Sequence, residues 1–172
     1  LAAKWLVPRL DRFLESVPGA DVRIEHGYAI ARAARLRGAE VLMRWWGFDQ
    51  LRPQQAEAIE AALDGRDSVV VMPTGGGKSL CYQLPPLVGD STDVVISPLV
   101  ALMKDQVDAL EAIGYPAAAI HSGLSPDERA AVRDRLAAGE LRLLFTAPER
   151  LVNTGLLDLL AQVGVKRFAI DE

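Results

Sequence analysis

The sequence predicts an α/β fold, a parallel sheet with helices on both faces, and three observations predict it. Short apolar runs rich in β-branched residues, Val69-Val70-Val71, Asp93-Val94-Val95-Ile96, Leu141 to Thr146 and Val165 to Ile170, read as strands buried on both sides. Between them lie segments whose apolar residues recur at helical spacing. The composition, 172 residues of which half are hydrophobic and 24% charged, is enough to bury one sizeable core and excludes a disordered, collagen-like or disulfide-stapled chain.

Taken in order, Leu6, Leu10, Phe13 and Leu14 give a helix over 4–17, Pro18-Gly19 stops it, and Val22-Arg23-Ile24 makes a short strand. An Ala/Arg-rich helix follows from Tyr28 to about Arg37, ending near Gly38, and another from Glu40 to Trp46. From Pro53, Ala58, Ile59, Ala62 and Leu63 recur with helical period until Asp64-Gly65 turns the chain toward the strand Val69–Val71. A helix starts at Lys78, and the strand from Asp93 leads into one from about Leu99 to Ile113. Ser125-Pro126-Asp127-Glu128 is a capping box, opening a helix that runs to Gly139.

Charge divides the chain. Residues 1–40 carry 7 basic and 5 acidic side chains, whereas 41–172 carry 12 and 18, which suggests two pieces of different origin. The net charge of −4 argues against holding nucleic acid by bulk charge, so such contact must come from a local patch. The single cysteine, Cys81, cannot bridge internally, and no apolar run approaches the roughly 20 residues that span a bilayer. A reducing cytoplasm fits best. Leu1 rather than Met opens the chain without any basic-then-apolar leader, so the start reads as cut.

Chemistry becomes specific at Met72-Pro73-Thr74-Gly75-Gly76-Gly77-Lys78-Ser79, where the chain passes from strand through glycines into a helix. Thr74, Gly75, Gly76 and Gly77 let backbone N–H groups curl around a phosphate, the helix N-terminus adds its positive dipole end, Lys78 reaches the β/γ phosphates, and the Ser79 hydroxyl can ligate Mg²⁺. A nucleoside triphosphatase also needs a carboxylate for Mg²⁺ and a group that orients water; Phe168-Ala169-Ile170-Asp171-Glu172 supplies both, Asp171 facing the metal and Glu172 positioning or deprotonating the water.

The blocks 72–83, Ser97-Pro98-Leu99 with Leu102-Met103-Lys104-Asp105-Gln106-Val107, Ala147-Pro148-Glu149-Arg150-Leu151 and Asp171-Glu172 resemble, in order and spacing, the RecQ family of ATP-dependent DNA helicases over about residues 41–172. The resemblance implies most of a first RecA-like lobe, a P-loop NTPase fold with ATP and Mg²⁺ as cofactors and single-stranded and partly duplex DNA as partners, working 3′ to 5′ in repair and recombination. It also implies a second lobe beyond these residues, which in the family supplies the arginine that completes the ATP site. Gly47-Phe48-Asp49-Gln50-Leu51-Arg52-Pro53-Gln54-Gln55 resembles the family's adenine-recognition motif, with Leu51 in place of an aromatic and Gln54 in place of a glycine. A glutamine amide can donate to N7 and accept from the exocyclic amine of adenine while Phe48 or the flat Arg52 guanidinium stacks on the ring, so Gln55 is expected to choose the purine.

In the family the segments after the strand ends face single-stranded DNA, which implies phosphate contacts from the Ser97 and Thr146 hydroxyls and charge from Lys104 and Arg150. The strand that follows the Asp-Glu motif in such lobes lies between the loop strand and the Asp-Glu strand, so a chain ending at Glu172 is expected to be incomplete at its C-terminus: the fold closes over the gap or is unstable. Residues 4–14 with 18–24 are similar to the opening helix and strand of LysR-type regulator effector domains, so 1–40 is either a joined fragment of that kind or a plain helical extension. The competing functional readings are a P-loop ATPase or kinase with no nucleic-acid partner and a regulator remnant.

Overall fold

The computed structural model describes residues 27–152 and 154–171, so the helix, strand and LysR-like reading of the first 26 residues lie outside the described residues, as does Glu172. Six α-helices, α1 (Gly27–Trp46), α2 (Pro53–Leu63), α3 (Ser79–Val88), α4 (Val100–Ala112), α5 (Pro126–Ala137) and α6 (Thr154–Val163), accompany four strands, β1 (Asp93–Ile96), β2 (Ala117–Ile120), β3 (Leu143–Thr146) and β4 (Phe168–Ile170). A short 3₁₀ helix, Pro148–Val152, follows β3. All strands are parallel, in the order β2-β3-β1-β4, with Val94 opposite Leu144 and Phe168.

Side chains alternate across the sheet, and each face has its own core. Val94, Ile96, Leu144, Ala118 and Ile120 point to one side, where Leu136 of α5 and Leu156 and Leu160 of α6 cover them. Val95, Leu143, Phe145 and Ala117 point to the other, beneath Met103, Val107 and Leu110 of α4. Helices on both faces explain why the strand sequences are apolar throughout rather than alternating.

A third cluster, Leu42, Ile59, Leu80, Leu84 and Val88, joins α1, α2 and α3. Tyr115, 1% exposed, ties this unit to the sheet: its hydroxyl donates to the Gln83 carbonyl at 2.7 Å, and Trp45 and Trp46 lie 5.5 and 6.1 Å from its ring. At the other edge Arg167 donates to Asp93 and Ser91, each at 2.6 Å, and its partner Asp93 is almost fully buried.

Two expectations are corrected, the helix end at Gly38 and the strand at Val69–Val71. Gly38 does not end a helix: α1 runs unbroken from 27 to 46, carrying the glycine inside, with Val88 Cγ2 4.0 Å from where its Cβ would be. The 40/41 boundary suggested by charge therefore falls within a helix. Val69-Val70-Val71 forms no strand, and Val69 and Val71 are 93% and 85% exposed. β4 ends the sheet on that side, and among the described residues no strand lies next to 69–71, so a sequence suited to a ladder has no backbone groups to pair with.

Candidate nucleotide-binding site

The loop after residue 71 is shaped by its glycines. Gly75 (φ +76°) and Gly77 (φ +81°) adopt the left-handed conformation that side chains resist, and the Gly76 amide donates to the Pro73 carbonyl at 2.9 Å. The loop then enters α3 at Ser79, so its last residues sit at the positive end of a helix dipole. Lys78 curls back over the loop, its Nζ donating to the Met72 carbonyl at 3.0 Å.

The segment 47–55 braces this loop from behind. Gln55 is buried; its Oε1 accepts from the Arg52 amide at 2.9 Å and its Nε2 donates to the Gly77 carbonyl at 3.0 Å. The Arg52 guanidinium donates to the carbonyls of Gly76 at 2.9 Å and Gly75 at 3.4 Å. Three successive loop carbonyls are thus held by two side chains, which fixes the peptide planes and with them the direction of the amides. The bracing was not foreseen from the sequence, where Gln55 and Arg52 are read toward adenine. One N–H and one lone pair of the Gln55 amide remain for such a contact, and Phe48, Arg52 and Thr74 are exposed.

Gly77 is less replaceable than Gly75, because a Cβ there would lie 2.4 Å from Gln55 Nε2, whereas one at Gly75 would meet nothing within 4 Å. Both substitutions suffer the positive-φ penalty of about 1 kcal/mol; Gly77→Ala also evicts the Gln55 amide, adding about 1–2 kcal/mol for a buried donor left unpaired. Chemical denaturation should therefore show Gly77→Ala about 1 kcal/mol or more less stable than Gly75→Ala; equal losses would mean that the Gln55–Gly77 contact does not hold the loop.

At the carboxyl end of β4, the Asp171 amide donates to the Ile96 carbonyl at 2.9 Å, extending the ladder by one residue. One carboxylate oxygen accepts from the Tyr82 hydroxyl at 2.9 Å, across 89 residues of sequence. Burial, and less strongly the Asp171 charge, push the phenol's pKa upward and keep it a donor, against a lowering influence from Ser79 one helical turn earlier. A residue one helical turn beyond Ser79 is thus tied to Asp171, and the start of the loop helix and the acidic strand end converge in space.

These groups fit a hard cation carried by a triphosphate. Mg²⁺ takes one or two protein oxygens and completes its shell with phosphate and water, and a serine hydroxyl with one carboxylate supplies that set. Among the described residues no group of three or more His, Cys, Asp or Glu side chains could cage a metal alone.

The expected strand-facing residues fall into two groups. Thr146 is fully buried and its hydroxyl donates to the Ile120 carbonyl at 3.2 Å; Ser97, 2% exposed, receives the Leu99 amide on its Oγ at 3.5 Å. Both hydroxyls thus have backbone partners in this structure, freed where the parallel strands end. Lys104 is exposed on α4, and Arg150 is half-buried in the 3₁₀ helix, its Nε the one buried side-chain polar atom without a hydrogen-bond partner among the described residues.

A phosphate loop at a helix start, facing a carboxylate at the end of a parallel strand, defines a RecA-like nucleotide-binding lobe. The family model described as DEAD/DEAH box helicase matches residues 52–172, and the chain belongs to that family. Its relatives are of the RecQ type: it is 49% identical over 127 residues to the ATP-dependent DNA helicase RecQ of Synechocystis sp. and 44% identical over 132 residues to that of Haemophilus influenzae. These alignments cover 74% and 77% of this chain but 27% and 21% of the relatives. The crystal structure of the DUF1998 helicase MrfA bound to DNA shares the fold, with a TM-score of 0.59 at 21% identity over 94% of this chain and 25% of that one. Among the described residues no helix is long and apolar enough to cross a membrane.

Proposed function

We propose that this lobe binds Mg²⁺–ATP and serves as the first motor lobe of a DNA helicase that couples hydrolysis to movement along a single strand and separation of the duplex. The observation that carries the reading is the Tyr82–Asp171 hydrogen bond, which joins the start of the loop helix to the acidic strand end. Loop amides and Lys78 take the triphosphate, with Lys78 released from the Met72 carbonyl to meet charge developing on the γ-phosphate. Ser79 and Asp171 hold the metal, which when bound neutralises the phosphates. Glu172, next in sequence, aims water in line, and Phe48, Arg52 and Gln55 receive adenine. Because positioning does most of the work in phosphoryl transfer, the rigid brace on the loop carbonyls matters as much as the charges.

On the proposed DNA side, the carboxyl edge of the sheet carries Lys104 and Arg150, which offer charge to a passing backbone without reading bases. The Ser97 and Thr146 hydroxyls at the same strand ends add phosphate contacts, and the charges supply the salt-dependent part of the affinity. Titrating a labelled single-stranded oligonucleotide at two salt concentrations tests this: binding should weaken with salt, and Lys104→Ala should lower the slope of log affinity against log salt by about one. Absent or salt-insensitive binding would favour a nucleotide-hydrolysing or kinase lobe with no nucleic-acid partner.

A further inference from the structure

We propose that Tyr82 is a positioning residue for the metal site, orienting the Asp171 carboxylate toward the cation from one helical turn beyond Ser79; the inference rests on the Mg²⁺–ATP reading above. Neither the phosphate-loop pattern nor the acidic strand end gives this tyrosine a task, and the geometry does. Tyr82 lies one turn beyond Ser79 on α3, so both side chains project from the same helical face. Its ring is fixed by an edge-on contact with Phe145 of β3, centroids 6.2 Å apart at 81°, within the core on that side of the sheet. From that anchored ring the hydroxyl reaches Asp171 Oδ2 at 2.9 Å, while the Asp171 backbone is held by Ile96.

A carboxylate has two oxygens and a freely turning Cβ–Cγ bond. A donor on one oxygen, fixed to the protein at the other end, restricts that rotation and sets the direction of the second oxygen. Outer contacts of this kind tune a metal ligand's orientation, and their loss costs about 10–100-fold in metal affinity. A phenylalanine could fill the packing role as well as tyrosine does; only the hydroxyl serves Asp171.

The test uses the full chain and a fluorescent ATP analogue, titrated without metal and then with increasing Mg²⁺. Tyr82→Phe keeps the ring contact. The inference expects its metal-free affinity for the analogue to match the wild type, while the Mg²⁺ concentration that gives half of the metal-dependent enhancement rises about tenfold. In an Asp171→Asn background, Tyr82→Phe should produce no further rise, since the two act as one unit. A midpoint equal to the wild type's overturns the inference, as does an equal loss of affinity with and without metal, which would make Tyr82 a support of the loop alone. If Tyr82→Phe lowers the melting temperature so far that binding cannot be read, the Asp171→Asn midpoint decides: an unshifted one overturns the inference. A wild-type chain that binds the analogue with no Mg²⁺ response overturns the nucleotide reading itself, and the inference with it.

Discussion

Replacing Lys78 by alanine is expected to cut ATP affinity by at least 100-fold while leaving the fold nearly as stable as before. The ammonium has one observed partner, the Met72 carbonyl at 3.0 Å, a contact at the edge of solvent whose loss costs about 0.5–1.5 kcal/mol of stability. Its value in the complex is larger, because a charge-assisted bond to phosphate within the loop is withdrawn from water and leaves an uncompensated anion when truncated, a loss of about 3 kcal/mol. Calorimetric titration of ATP together with a denaturation curve separates the two effects. Unchanged affinity would remove Lys78 from the phosphate site, and a collapse of stability would make it a structural residue.

Arg167→Ala is expected to lose about 3–5 kcal/mol of stability, the usual result of stripping the partner from a buried charge. Asp93 is 4% exposed at the start of β1, and Arg167 meets it and Ser91 at 2.6 Å on the edge where β4 joins the sheet. Burial pushes the Asp93 carboxyl above its ordinary range, the guanidinium pulling it only partly back. The sign follows: a raised native pKa means that the fold binds a proton more tightly than the unfolded chain, so this group's contribution falls as pH rises through the native pKa. Without Arg167 the native pKa climbs further, and the destabilisation should be smaller at pH 5 than at pH 8. Urea denaturation at the two pH values checks this; a pH-independent loss would show that the network acts through packing alone.

Much of the fold was legible because local and tertiary signals agree. Asp93–Ile96 is a strand with no polar interruption beyond its first residue, and it is found where its sequence says. The box at Ser125 forms as read, with the Glu128 amide donating to Ser125 Oγ at 3.2 Å and the Ser125 amide donating to the Glu128 carboxylate at 2.7 Å. β2 escaped notice because Ala117-Ala118-Ala119-Ile120 has the composition of a helix; it is a strand because Ala117, Ala118 and Ile120 are buried between helices pressed close on both sides. α6 is hidden in sequence because its leucines merge into one apolar stretch, and Gly38 signals a helix end that tertiary packing overrides. Val69–Val71 erred the other way: β propensity without a neighbour to pair with gives no strand.

The site shows the same division. The loop, its lysine and serine, and the acid at the end of β4 are readable as types at known spacing. Tyr82 is not, because nothing in sequence brings residue 82 near residue 171; only the register of β4 beside β1 does. The hydrogen bonds of Gln55 and Arg52 to the loop carbonyls are equally illegible in sequence, because they depend on how α2 packs against α3.

The central claim is that the glycine loop and the acidic strand end grip one magnesium-bound triphosphate. A crystal structure of the chain with Mg²⁺ and a non-hydrolysable ATP analogue tests it most directly. The account predicts the terminal phosphates within the loop, Lys78 turned from Met72 toward them, and the cation flanked by the Ser79 hydroxyl and the Asp171 carboxylate. Nucleotide bound elsewhere, or a metal held with Asp171 pointing away from it, would contradict the account.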